Sequence, residues 1–288
     1  MGRGELLRSL ATCLEAPTPA LEPVAAALGL PRLPTPAEHT DTFVFQLHPY
    51  ASVHLGPEGA LGGIARDRVA GFLRALDVVP PPEPDHLAVL LGAYAQLVDL
   101  DDGPGSRGRH ARSVLFHEHL WPWVPRLLWR VTELGAAPYR RWAELLDRVL
   151  TAEHTSLGPP GILPAHLREA PALPDPRDGD VPAFVAGLLA PVRSGLVVAR
   201  ADLVRIAREL ELGARVGERA YMLRALLSQD VAATLEALAA EASRQRGHVA
   251  GDVAGDDLVA TFWRGRLTGT ADLLAELASA DDHLPVPG

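Results

Sequence analysis

Residues Leu115-Phe116-His117-Glu118-His119-Leu120-Trp121-Pro122-Trp123-Val124-Pro125 decide how this chain is read. Pro122 has no amide hydrogen and its ring restricts Trp121, so a helix arriving through Leu115 to Leu120 must end there in a sharp corner. A second helix leaves at once, because Val124, Leu127, Leu128, Val131 and Leu134 recur at the three- and four-residue intervals of one helix face. Large aromatics at such a corner are either core filler or, for one tryptophan such as Trp123, the wall of an apolar groove for a peptide. His117 and His119 invite a metal reading. On a helix, side chains two apart point about 200° from one another, whereas helical zinc ligands come four apart. The two rings therefore cannot share an ion, and His119 is expected to bond inside the core.

The same period extends outward in both directions. Leu6, Leu7, Leu10 and Leu14 form one stripe; Val69, Phe72, Leu73 and Leu76 a second; Leu87, Leu90, Leu91, Tyr94, Leu97 and Val98 a third; Trp142, Leu145, Leu146 and Val149 a fourth. Thr18-Pro19 and Thr35-Pro36 read as helix starts, and Glu38 completes a capping box with Thr35. Gly29, Gly135 and Gly247 read as stops that accept a left-handed conformation. Only Ser52 to Leu55 and Leu196 to Val198 could be strands, too few for a sheet. The fold class is all-α. From Gly158 to Pro182 seven prolines interrupt the pattern, and this stretch reads as an extended connector. Helical stripes then resume through Leu203, Ile206, Ala207 and Leu210, through Leu223, Leu226 and Leu227, and through a helix capped by Asp230 that carries Leu235 and Leu238. The expected organisation is a helical domain over residues 1–157, a connector over 158–182 and a helical extension over 183–288, with a frayed end from Ser279 to Gly288.

Composition removes whole function classes. All 27 basic residues are arginine, with no lysine and no asparagine, so no Schiff-base nucleophile, P-loop lysine or kinase lysine is available. There is no Gly-x-Ser-x-Gly elbow and no dinucleotide-binding glycine pattern after a strand. The single cysteine, Cys13, excludes an intrachain disulfide and a cysteine zinc site, and its place in an amphipathic helix makes it an inert buried thiol. The reducing cytoplasm is the expected compartment, with no signal sequence and no membrane span. The formal net charge of −9 disfavours nucleic acid and suits a basic peptide, although solubility alone accounts for a mildly acidic surface. Arg140-Arg141 lies too deep in the chain to be an export signal of its own.

Three segments carry a recognisable pattern: Tyr50-Ala51-Ser52-Val53-His54-Leu55, then Pro84-Asp85-His86, then the corner segment Leu115 to Pro125. In this order and spacing they resemble the TorD/DmsD/NarJ family of redox-enzyme maturation chaperones, over about residues 5–156. Leu189 to Gly195, Arg200 to Leu203 and Gly217 to Arg219 look like the C-terminal extension of longer members. The run that often precedes the Ser-Val stretch in that family is replaced here by Phe43 to Pro49. The resemblance implies an all-helical chaperone that binds the catalytic subunit of a molybdopterin-dependent oxidoreductase of the DMSO-reductase type and its twin-arginine signal peptide. It implies no catalysis and no cofactor of its own, and a monomer or a domain-swapped dimer. The implied peptide-binding residues are Tyr50, Ser52, Pro84, Asp85, His86, His119 and Trp123. Asp85 would give its carboxylate to an arginine from an exposed helix start, or it would cap its own helix through the first-turn amides. Two other classes stay open: a metal-dependent helical hydrolase using His39, His86 and His119, and a helical scaffold without signal-peptide affinity.

Overall fold

The computed structural model describes residues 2–100, 107–249 and 257–280. In chain order its α-helices are α1 (Arg3–Thr12), α2 (Glu22–Ala27), α3 (Pro36–His39), α4 (Ala51–Leu55), α5 (Gly63–Ala75), α6 (Leu87–Asp99), α7 (Arg107–Val114), α8 (Val124–Leu134), α9 (Ala137–Leu157), α10 (Ala165–Arg168), α11 (Val181–Leu188), α12 (Pro191–Ser194), α13 (Arg200–Glu209), α14 (Arg219–Leu227), α15 (Val231–Gly247) and α16 (Leu258–Ser279). Among the described residues there is no strand, only a single antiparallel bridge between Tyr50 and His86. The chain is all-α. Most of the expected frayed end, from Asp281 onward, lies outside the described residues.

Two compact units divide the chain: residues 1–53 with 61–166, and residues 54–60 with 167–288. In the first, α1 lies along α6 and α8 pairs with α9. The approach of α1 to α6 is close, for a Cβ on Gly4 would collide with the Asp99 carboxylate. The Trp142 indole donates to Leu10 O at 2.9 Å, joining α9 to α1. Buried Glu153 gathers three elements, accepting from the Tyr94 hydroxyl at 2.6 Å and from Arg3 at 3.0 Å. Much of the core comes from the stripes read from the sequence, with Leu7, Leu10, Leu73, Leu90, Leu91, Leu127, Leu128, Trp142 and Leu146 all buried, while Leu6, Phe72, Leu76, Leu134, Leu145 and Val149 are only partly buried and Phe43, Phe116 and Tyr139 join from outside the stripes.

The second unit has its own core, in which Leu188, Leu203, Ile206, Leu223, Leu226, Leu235, Leu238, Leu267 and Leu274 meet. The Arg193 guanidinium donates to Pro57 O at 2.6 Å. Gly59, at φ +60°, approaches so near that an added Cβ would sit 2.7 Å from Ala190 Cα, and only glycine supplies both the left-handed backbone and the missing side chain.

Several local expectations hold. Thr35 and Glu38 form the reciprocal capping box, Asp230 caps α15 through Ala233 N at 2.9 Å, and Gly29 is left-handed at φ +65°. Others are corrected. Gly135 stops α8 in an extended conformation, φ −70° and ψ 157°, and Gly247 is the last residue of α15 instead of the residue after it. Ser52 to Leu55 is part of helix α4. Leu196 to Val198 is extended but pairs with no strand; the Gln245 amide takes its place, accepting from Val197 N at 3.0 Å and donating to Val197 O at 3.2 Å. Two stretches wind as π-helix, Thr40–Gln46 and Leu115–Leu120, with Leu47 N bonding to Thr42 O and Trp121 N to Phe116 O. Such wide turns recur at functional sites.

Candidate functional site

The seven residues implied by the resemblance fall into two groups within the first unit. Tyr50, Ser52, Pro84, Asp85 and His86 come together because residues 49–52 and 83–88 are laced by backbone bonds, Leu87 N to Pro49 O at 2.8 Å and Ala51 N to Asp85 O at 3.0 Å. His119 and Trp123 lie at the corner that closes Leu115–Leu120 and opens α8.

Asp85 does not occupy the exposed helix start expected of it, nor does it cap its own helix. It is 2% exposed, and its Oδ2 accepts from Ser52 N at 3.0 Å. With its carbonyl on Ala51 N, it satisfies two first-turn amides of α4, where a carboxylate is favoured by the helix dipole. Ser52, also buried, accepts from Gly62 N at 3.2 Å through its hydroxyl and so fixes the turn into α5. The cap of α6 is His86, whose Nδ1 accepts from Ala88 N at 3.3 Å. That bond needs a lone pair on Nδ1, so the neutral ring carries its proton on Nε2. Burial lowers the His86 pKa, opposed by the charges of Glu15, Glu83 and Asp85.

Tyr50 and His86 are the part of this group that solvent reaches. Their rings meet edge-on at 4.7 Å between centroids, and the Tyr50 hydroxyl donates to Glu83 Oε2 at 2.8 Å. Burial and then the Glu83 bond raise the phenol to about 12, with Asp85 and Glu15 adding to the effect. The rim therefore carries two exposed carboxylates, Glu15 and Glu83, beside a tyrosine that stays protonated and a histidine that stays neutral. Neither Glu15 nor Glu83 was singled out from the sequence. The motif contains only the carboxylate of Asp85, and it is the fold that buries Asp85 and exposes its neighbour Glu83.

The second group is packed inside. Trp123 is 1% exposed and its indole donates to His119 O at 2.7 Å, so it fills the corner. His119, 6% exposed, sets its ring against Phe72 and His166. Burial, then the nearby Arg68, lowers its pKa to about 4, and burial followed by His119 and Arg68 lowers that of His166 to about 3. The ring's Nδ1 has no hydrogen-bond partner, against the core bond expected of it. His117 turns away to His154. The wide π-helical turn thus keeps the two rings of the His-x-His pair on separate sides, and no group of three or more histidine, cysteine, aspartate or glutamate side chains able to hold a metal occurs among the described residues. Cys13 is buried, and burial raises its thiol to about 11. No described helix is long and apolar enough to cross a membrane.

Residues 7–128 match the family model of the nitrate reductase delta subunit, a family of molybdoenzyme maturation chaperones of the NarJ/TorD type. The matched segment contains all three motif segments as far as Leu128, and with them every residue of both groups. No curated protein matches the chain.

Proposed function

From the match of residues 7–128 to a maturation-chaperone family, we propose that this chain is a non-enzymatic, cytoplasmic, system-specific chaperone. It holds the apo catalytic subunit of a molybdopterin-dependent oxidoreductase through that subunit's twin-arginine signal peptide, delaying export until the cofactor is inserted. The observation that carries the peptide reading is the acidic and aromatic rim of Tyr50, Glu83 and His86, with Glu15 acting on the same two rings. Two guanidinium groups of a signal peptide require carboxylate acceptors that are fixed and reachable. Glu83 is exposed and held by the Tyr50 hydroxyl, which lessens the ordering cost on binding. Ser52, Pro84 and Asp85 act beneath the rim by fixing α4 and the turn that carries Glu83.

Calorimetric titration with a twin-arginine signal peptide tests this reading. Losing one charged hydrogen-bond partner costs about 1.5–3 kcal/mol, so Glu83→Gln should weaken binding about tenfold or more while leaving the thermal melt in place. Equal affinity in wild type and variant would remove the rim from the proposal.

A further inference from the structure

The second unit contains an open cleft of about 500 Å³ lined by Gly213, Arg215, Tyr221, Arg224, Ala225, Ser228 and Gln229. Its construction is specific. The Gln229 amide staples the loop before α14 onto the end of that helix, accepting from Gly213 N at 2.7 Å and donating to Gly213 O at 3.1 Å and Ala225 O at 2.8 Å. Gly217 lets the Tyr221 ring lie against the loop backbone, since a Cβ there would fall 2.9 Å from Tyr221 Cδ1. The loop that carries Arg215 is therefore anchored on both sides of that residue.

The only charged groups lining the cleft among the described residues are two donors, Arg215 and Arg224. Gln229 spends both ends of its amide on the loop and helix, and the Ser228 hydroxyl donates to Ala225 O at 3.0 Å. Among the described residues, the Arg215 and Arg224 guanidinium groups make no hydrogen bond or ion pair, and no carboxylate lines the cleft. Four other arginines of the unit are engaged, Arg205 and Arg244 with Glu241, Arg219 with Val198 O and Arg266 with Ala170 O, while exposed Arg208 lies outside the cleft; what sets Arg215 and Arg224 apart is that they line one cavity together. In a chain of net charge −9, two unpaired guanidinium groups and a phenol around one cavity make a local site of opposite sign.

We propose that this cleft binds a small phosphate-bearing anion of at least two negative charges, with Arg215 and Arg224 gripping the phosphate oxygens and Tyr221 adding its hydroxyl. Guanidinium forks match phosphate oxygens in geometry and charge, and the cavity volume falls in the range of small-molecule sites. The site belongs to the helical extension and does not depend on the peptide rim.

Calorimetry on the full chain with inorganic pyrophosphate, and with acetate as a monoanion control at the same ionic strength, provides the test. Saturable pyrophosphate binding is expected, weakened about tenfold or more in R215Q/R224Q with an unchanged melt, and acetate should bind far more weakly. Tyr221→Phe, which keeps the ring against Gly217, should lose a smaller part of the affinity. Absence of saturable pyrophosphate binding to the wild-type chain would overturn the proposal. So would equal affinity in the double variant, or acetate binding as tightly as pyrophosphate.

Discussion

At the scale of single residues, the features that matter are polar groups whose partners come from far along the chain. Asp85 is the clearest case, because the motif marks it as a carboxylate at a helix start and the fold spends that carboxylate on Ser52 N, 33 residues upstream. Asp85→Ala should cost about 1–3 kcal/mol by leaving that buried amide without an acceptor, whereas Asp85→Asn keeps an acceptor and should melt close to wild type. Thermal melts of the two variants decide it, and equal losses would mean that the charge matters and the acceptor does not. The His119 and His166 pair gives a pH prediction. Both rings have folded pKa values, about 4 and about 3, below the unfolded value of about 6.5. The fold therefore favours the neutral rings, a contribution fully present above about pH 6.5 and lost as pH falls toward the folded values, because the unfolded chain takes up those protons first. Each ring contributes a slope of up to about 1.4 kcal/mol per pH unit in that window. Melting curves from pH 7 to 4.5 should fall more steeply for wild type than for H119Q/H166Q, and parallel curves would sink the assignment.

At the scale of elements, local sequence and tertiary demand agree for the long helices and part company in the short segments. The stripes of α1, α5, α6, α8 and α9 could be read because each buried face repeats within a window of a dozen residues. Ser52 to Leu55 has β-branched and apolar residues but forms helix α4 because Asp85 satisfies its first amides. Leu196 to Val198 stays extended in the core, and the Val197 amide and carbonyl would be orphaned without Gln245. Gln245→Leu preserves side-chain volume approximately but leaves Val197 N and O unpaired, at about 1–3 kcal/mol for each buried group. Urea unfolding should show a lower midpoint with an unchanged slope. An unaltered midpoint would show that water replaces the amide there.

At the scale of the whole molecule, the two units do not follow a single cut in the sequence, since residues 54–60 count with 167–288. A fragment ending at Leu157 keeps the helices up to α9 but deprives residues 54–60 of the Arg193 bond and the Ala190 contact. It should remain helical by circular dichroism, yet melt below the full chain and bind a hydrophobic dye, because buried His54 and Leu55 lose their surroundings. A fragment that melts with the full chain and binds no dye would establish residues 1–157 as an independent domain.

The all-helical class, the Thr35 and Asp230 caps and the corner at Trp121-Pro122 were determined by the sequence itself, because periodicity, capping and proline geometry are properties of neighbours. The motifs likewise pointed to the chaperone family that residues 7–128 match. Which carboxylate reaches solvent was decided only by the tertiary structure, with Asp85 turned inward and Glu83 outward. So were the burial of His119 against His166 and the meeting of Arg215 with Arg224 around one cleft. Burial and hydrogen-bond partnership depend on which distant segments pack together, and a window of ten or fifteen residues does not contain them.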